Sequence, residues 1–171
     1  LIAGRVIYRN DGGAVLTGPT MGAVVSSPCV RVFDFNLDGK NDVAQSGWDG
    51  TSTRKARIFR NDGNDGALMP IMVQFQDVLG GPTGLQWGGI AAADFDNDGD
   101  PDLAMTGTID GGDAGARFYI LRNNRSLPLA PFTTVQEPSG ANQGFYRGEV
   151  ETADLDQDGD MDLIVSGRDN T

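Results

Sequence analysis

Three copies of one acidic loop constrain what this chain can fold into. Each copy reads Asp-x-(Asp or Asn)-x-Asp-Gly-x-x-Asp and is followed by an apolar, strand-like run. The first aspartates of the copies are Asp34, Asp94 and Asp154, so the loops recur with a fixed period of 60 residues. A constant period of this length indicates a propeller, a solenoid or a repeat array.

The residue types in the loop predict a calcium site. Calcium takes about six to eight oxygen ligands, which carboxylates, amides and backbone carbonyls supply. Positions 1, 3, 5 and 9 offer side-chain oxygens, the glycine at position 6 permits a sharp turn, and position 7 offers its backbone carbonyl. We therefore expect three calcium ions, one per loop, with these ligands: Asp34, Asn36, Asp38, Lys40 and Asp42; Asp94, Asp96, Asp98, Asp100 and Asp102; Asp154, Asp156, Asp158, Asp160 and Asp162.

The three loops are not identical in charge. The first carries the neutral Asn36 where the others carry Asp96 and Asp156, so we expect it to bind calcium most weakly. An EF-hand is excluded, because it needs flanking helices and a glutamate at position 12. Position 12 lies in strand-like runs here and is occupied by Gln45, Met105 and Val165. Magnesium is less favoured than calcium, because it gives up its bound water reluctantly.

The acidity of the chain is concentrated in these loops. The formal net charge is −11, from 24 acidic and 13 basic residues. Eleven of the acids occupy loop positions 1, 3, 5 and 9, so the remaining 13 balance the 13 lysines and arginines. No basic stripe compensates the loops, and nucleic-acid binding is therefore not expected.

Several other classes of site lack the residues they need. The chain has no histidine, which removes the commonest zinc ligand and the usual general base near neutral pH. Its single cysteine, Cys29, is interpreted as a buried small apolar residue. No apolar run approaches the length of about 18 residues that a membrane-spanning helix requires. We expect no catalytic residues and no enzymatic activity.

Alternating apolar residues predict an all-β chain with four short antiparallel strands per unit. Four strands per repeat of this length match the blade of a β-propeller. A β-sandwich would not explain the strict repeat. The first strand of the unit is predicted at Val30–Phe33, Ile90–Ala93 and Val150–Ala153, and the second at Val43–Gly47, Leu103–Gly107 and Leu163–Gly167. The third strand is predicted at Ala56–Arg60 and Arg117–Arg122, and the fourth at Ile71–Phe75 and Pro131–Val135.

The repeat divides the chain into about three blades within one propeller segment, residues 1–171. The predicted units are approximately 1–27, 28–87, 88–147 and 148–171, so the chain begins and ends within a blade. Residues 1–4 and 5–12 match the second and third strands of the unit. Three blades do not close a ring, since propellers use about four to eight. The expected partners are therefore the remaining blades of a longer chain or head-to-tail copies of this one.

The loop and its four-stranded unit resemble the FG-GAP/VCBS repeats, which build the propeller head of integrin α-subunits, many secreted proteins and a fungal propeller lectin. Arg60-Asn-Asp-Gly63 and Arg122-Asn-Asn124 are similar to the VCBS variety, and the Phe-Gly and Gly-Ala-Pro signatures of integrin repeats are absent. The resemblance implies that the calcium ions are structural and that they buttress the blades.

Outside the loops, the candidates for function are weaker. Trp48 and Trp87 are the candidate ligand-binding aromatics, with packing between blades as the alternative interpretation. Asn124 begins the glycosylation sequon Asn-Arg-Ser on a predicted surface turn. Arg60 and Arg122 end the third strands, where we expect them to pair with loop carboxylates.

The leading hypothesis is an extracellular, secreted or cell-surface propeller scaffold that serves adhesion or protein–protein interaction and is stabilised by calcium. Extracellular modules suit this design because they bind calcium at the millimolar level found outside cells. Three alternatives stay open: a carbohydrate-binding lectin, a self-assembling subunit that forms a ring or filament, and the non-catalytic propeller of a secreted enzyme. The binding partner is expected to be an extracellular protein or glycan.

Overall fold

The computed structural model describes residues 9–10, 16–17, 26–51, 53–64, 66, 70–79, 84–127, 129–136 and 144–168. Over these ranges the chain is built from strands, with one short 3-10 turn (η1) at Asp113–Gly115. None of the described helical structure is long and apolar enough to cross a membrane. The strands are β1 (Arg9–Asn10), β2 (Leu16–Thr17), β3 (Ser26–Phe33), β4 (Asp42–Trp48), β5 (Arg54–Asn64), β6 (Pro70–Asp77), β7 (Ile90–Ala93), β8 (Asp102–Thr108), β9 (Ala116–Asn123), β10 (Phe132–Gln136), β11 (Val150–Ala153) and β12 (Asp162–Val165).

Two complete four-stranded antiparallel sheets form, one from β3 to β6 and one from β7 to β10. In each sheet, strands that follow one another in sequence are also neighbours in space. Two-stranded sheets join β11 with β12 and β1 with β2. The prediction of four-stranded propeller blades is confirmed, and the described sheets do not close into a ring.

The predicted strands agree closely with the observed ones, except at the ends of the chain. Strand β12 ends at Val165, two residues before the predicted end. At the other end, the predicted strand over residues 1–4 lies outside the described residues, as do residues 5–8, 11 and 12. The predicted boundaries of the repeat units stay a prediction.

Alternation along the strands gives each blade two apolar faces. Val43 and Ala44 are neighbours in β4 and project to opposite sides of the sheet. Val43 packs with Phe59 on one side, whereas Ala44 belongs to the larger core on the other side. Strand β4 is consequently buried on both faces from Asp42 to Gly47.

The main hydrophobic core lies between the two complete blades. Ala44 and Ile58 of the first blade join Leu103, Met105 and Leu121 of the second, and each of these side chains is fully buried. The core between the second blade and the β11–β12 sheet repeats this arrangement. Its members are Ala91, Ala104 and Val150, with Phe95, Phe118, Leu163 and Val165 packed against them.

Short segments between consecutive blades pass very close to the sheets. A Cβ atom on Gly88 would lie 1.7 Å from the carbonyl oxygen of Thr106, and one on Gly148 would lie 1.8 Å from that of Ser166. The N–H of Thr106 also donates a hydrogen bond to the carbonyl of Gly89 at 3.0 Å. Glycine is therefore required at both positions, which are 60 residues apart and which the sequence pattern alone did not predict.

Truncation of the core between blades should destabilise the fold strongly. We expect Leu103→Ala to lower the free energy of unfolding by about 2–5 kcal/mol, because it removes fully buried methyl groups and leaves a cavity. Urea denaturation would measure this loss. Ile71→Ala, at a side chain that is 41% exposed, is the control and should cost less than about 1 kcal/mol. Equal losses in the two variants would contradict the proposed location of the core.

Candidate metal centres

All three acidic loops curl around their first carboxylate. Asp34 accepts two main-chain hydrogen bonds, from the N–H of Asp38 at 3.1 Å and from that of Gly39 at 2.8 Å. The corresponding distances are 3.1 and 2.8 Å at Asp94 and 3.2 and 3.1 Å at Asp154. The repeated sequence therefore produces a repeated backbone, and it brings positions 1, 5 and 6 together.

Glycine at position 6 is required by backbone conformation. Its φ is +83°, +89° and +99° in the three loops, a region that side chains disfavour, although a Cβ there would touch nothing within 4 Å. The predicted role of this glycine is confirmed. Position 4 is also left-handed, with φ of 55°, 57° and 63°, and the sequence reading missed it because its occupants share no residue type: Leu37, Asn97 and Gln157.

The aspartate at position 9 fastens the loop to the rest of its blade. Asp42 is fully buried and accepts hydrogen bonds from the N–H groups of Phe35 at 3.2 Å and Asn61 at 2.7 Å. Asp102 is buried in the same way and accepts from the N–H groups of Phe95 at 3.1 Å and Asn123 at 2.7 Å. In the third loop, Asp162 accepts from the N–H of Leu155 at 2.9 Å and is only partly buried.

Burial makes the charge on these aspartates costly. The pKa of Asp42 is raised to about 6, chiefly by desolvation and to a smaller extent by the neighbouring charges of Asp38 and Asp34. Asp102 has its pKa raised to about 6 for the same reason, with Asp96 and Asp98 as the neighbouring charges. Main-chain hydrogen bonds oppose the shift without cancelling it. A bound cation would favour the ionised form of both carboxylates. The donor set of the loops consists of oxygens, which fits calcium.

Carboxylate oxygens converge in the second and third loops. In the second loop, three carboxylate oxygens lie within 4.8 Å of one another, one each from Asp94, Asp96 and Asp102. In the third loop, the same is true of Asp154, Asp156 and Asp162. These are positions 1, 3 and 9, three of the predicted ligands. The first loop has no such trio because Asn36 occupies position 3, where its carbonyl oxygen accepts the N–H of Asp38 at 3.1 Å. The assignment of the ligands stays a prediction.

The side chain at position 7 is paired with another side chain in each loop. Lys40 extends its ammonium to Asp38 at 2.9 Å, Asp100 pairs with Arg125, and Asp160 accepts a hydrogen bond from another loop. At position 5, Asp38, Asp98 and Asp158 accept the N–H of position 7 at 2.9, 3.0 and 2.9 Å. This arrangement agrees with a ligand role for the backbone carbonyl of position 7.

Basic side chains surround the loops unevenly. Arg122 pairs with Asp96 at 2.7 Å and with Asp98 at 2.8 Å, and its hydrogen bond holds the pKa of Asp98 below the usual range. The expected pairing of Arg122 with loop carboxylates is confirmed. The same expectation is wrong for Arg60, which pairs with Asp62 at 2.6 Å, outside the loop. The turn at Asn61-Asp62-Gly63 follows directly after Arg60, so the carboxylate of Asp62 lies closer to the guanidinium of Arg60 than the loop carboxylates do.

The loops also contact neighbouring blades. The amide nitrogen of Asn123, in the second blade, donates to the carbonyl of Phe35 in the first loop at 2.8 Å and to that of Pro101 in its own loop at 3.1 Å. Asn97 in the second loop donates to the carboxylate of Asp160 in the third loop at 2.7 Å. The three loops are thus linked to one another across the junctions between blades.

The weaker candidates lie apart from the loops. Trp48, 37% exposed, ends β4 and donates its indole N–H to the carbonyl of Thr51 at 2.8 Å. Trp87 lies between blades, partly buried, with the guanidinium of Arg147 5.0 Å from its ring. Asn124 lies on an exposed turn, where its carbonyl oxygen accepts the N–H of Ser126 at 3.2 Å. Ligand binding and glycosylation at these residues stay predictions.

Comparison with known proteins agrees with this geometry. The family described as FG-GAP-like repeat matches residues 34–105, which begin at the first aspartate of the first loop and include the whole second loop. The resemblance of the acidic loops to FG-GAP-type repeats is thereby confirmed over residues 34–105. The chain is also similar to cartilage acidic protein 1 of Xenopus tropicalis (30% identity over 80% of this chain) and of Mus musculus (27% identity over 94%). The chain spans 20% and 24% of the lengths of these relatives.

The raised pKa values predict an unusual pH dependence without calcium. Between the ordinary aspartate pKa near 4 and the folded value of about 6, the folded state binds more protons than the unfolded state at Asp42 and Asp102. The free energy of unfolding should therefore rise by about 1–3 kcal/mol as pH falls from about 7 to about 5 in EDTA. Urea denaturation at stepped pH would measure it.

The control for this pH dependence is the double variant Asp42→Asn, Asp102→Asn, which should lose the rise because it has no charge to neutralise. Saturating calcium should also suppress the rise, since the cation favours the ionised carboxylate. A wild-type protein whose stability falls over the same interval in EDTA would contradict the assigned burial cost.

Proposed function

We propose that this chain is a non-enzymatic propeller segment of an extracellular scaffold for adhesion or protein–protein interaction, stabilised by three calcium ions. The observation that carries the proposal is the triple recurrence of one loop geometry at the turn between the first and second strands of a blade. In the two complete blades that loop ends on a buried carboxylate whose charge is costly without a cation.

The ions would act as fasteners. Position 1 lies just after the first strand of the blade, position 9 begins the second, and in the complete blades position 9 also holds the third strand through Asn61 or Asn123. A cation shared by positions 1, 3, 5, 7 and 9 would hold these strands at the loop end of the blade. Its binding free energy would therefore appear as folding free energy.

An extracellular setting suits such ions, because extracellular modules bind calcium in the range of about 0.1–1 mM. The similarity to cartilage acidic protein 1, whose name refers to cartilage, supports this setting. The absence of histidine and the commitment of the clustered carboxylates to the loops support a non-enzymatic role.

The outer face of the first blade supports contact with a further blade. Val30 and Val32 are 49% and 56% exposed there, beside the buried Val43. Their counterpart in the second blade, Ile90, is only 2% exposed because the first blade covers it. The remaining blades of a longer chain, or a second copy of this one, would cover the exposed valines in the same way.

Calcium should raise the stability of the fold in a loop-specific manner. At a calcium concentration about 100-fold above the dissociation constant, each site contributes about 2.7 kcal/mol. We expect Asp34→Ala, Asp94→Ala and Asp154→Ala each to lose part of this gain, with the smallest loss for Asp34→Ala, whose loop has one carboxylate fewer. Thermal unfolding with calcium and with EDTA would measure the three losses.

The matched control is Asp49→Ala, an aspartate outside the loops, which should leave the response to calcium unchanged. An absence of any calcium-dependent stabilisation would refute the proposed function. The largest loss at Asp34→Ala would refute the predicted order of the loops.

A further inference from the structure

A cleft of about 340 Å³ opens between the two complete blades, beside the first acidic loop. The first blade contributes Asn36 from its loop and Arg60 from β5. The second blade contributes Arg125 and Leu127 from the turn between β9 and β10. The size falls within the range of about 300–1,000 Å³ typical of ligand pockets.

The cleft is basic, although the chain is strongly acidic. Two arginines from adjacent blades line it, and none of the described residues that line it is acidic. Arg60 uses its Nε and Nη2 atoms on Asp62 at 2.6 and 3.2 Å. Arg125 uses its Nε on Asp100 and donates from Nη1 to the carbonyl of Asn36 at 3.5 Å. A guanidinium has five N–H donors, so each arginine keeps donors for another anion. Both side chains are more than a third exposed.

The first loop, which differs from the other two at position 3, lies beside this cleft. Position 3 is aspartate in the second and third loops and is Asn36 in the first, where it lines the cleft with the two arginines. A carboxylate at this place would repel an anionic ligand, whereas the amide does not. Relative to the other two loops, the asparagine that weakens the predicted calcium site thus removes one negative charge from the wall of the cleft.

The rim of the cleft distinguishes between classes of anionic partner. Leu127 lines the cleft and is 44% exposed, so an apolar side chain stands beside the arginines. The aromatic rings of the floor offer no open face for a sugar. Phe35 is only 3% exposed, and the ring of Phe75 is covered by the guanidinium of Arg60 at 5.2 Å.

We propose that this cleft binds an acidic peptide segment of a partner protein, with its carboxylate on Arg60 and Arg125 and an apolar side chain on Leu127. The proposal rests on the proposed scaffold function and names the chemistry of the partner. Arginine suits this role because its planar guanidinium binds carboxylates in a bidentate manner.

Fluorescence anisotropy tests the proposal with a labelled peptide of about ten alternating leucines and glutamates, in calcium. Saturable binding is expected, and Arg60→Gln and Arg125→Gln should each weaken it about tenfold. The control Arg147→Gln, at an exposed arginine that does not line the cleft, should bind like the wild type. Equal binding of a leucine–glutamine peptide, preference for an oligouronate, or no effect of the two cleft variants would overturn the proposal.

The variant Asn36→Asp separates the cleft from the calcium site. It should weaken binding of the acidic peptide about tenfold while tightening calcium binding at the first loop, as measured by calorimetry. A change of both affinities in the same direction would contradict the role given to Asn36. If calcium stabilises the protein but no peptide binds, only the proposal of peptide binding at the cleft is refuted. If calcium does not stabilise the protein, the proposed scaffold function is refuted.

Discussion

The fold depends on a carboxylate that is buried at the start of the second strand of each complete blade. Asp42 and Asp102 each join their own loop to the third strand through main-chain hydrogen bonds. Their burial raises the pKa to about 6, so at neutral pH their charge opposes folding unless a cation compensates it. An acidic loop next to that carboxylate provides a place for the cation.

The loops also affect how the blades assemble. Asn123 connects the first loop to the second blade, and Asn97 connects the second loop to the third. Beneath these polar contacts, one face of each sheet packs on the next sheet in the chain. Stiffening a loop would therefore hold both the strands within a blade and the junction between blades, which is what a repeat scaffold requires.

The sequence sufficed for features that depend on local pattern and was insufficient for those that depend on tertiary contact. Alternation located the strands, and the glycine at position 6 predicted the turn that φ at Gly39 confirms. The close approach of Gly88 to Thr106 and the hydrogen bond of Asn123 to Phe35 were not predicted. Both join chain segments that only the packing of blades brings together, as does the basic cleft.

We propose that each of the three loops holds a calcium ion that joins the strands of its blade. Anomalous diffraction from crystals grown in calcium, or with a lanthanide in its place, tests it most directly. Three anomalous peaks are expected, each surrounded by oxygens from positions 1, 3, 5, 7 and 9 of one loop. Peaks located elsewhere, or empty loops at saturating calcium, would contradict it.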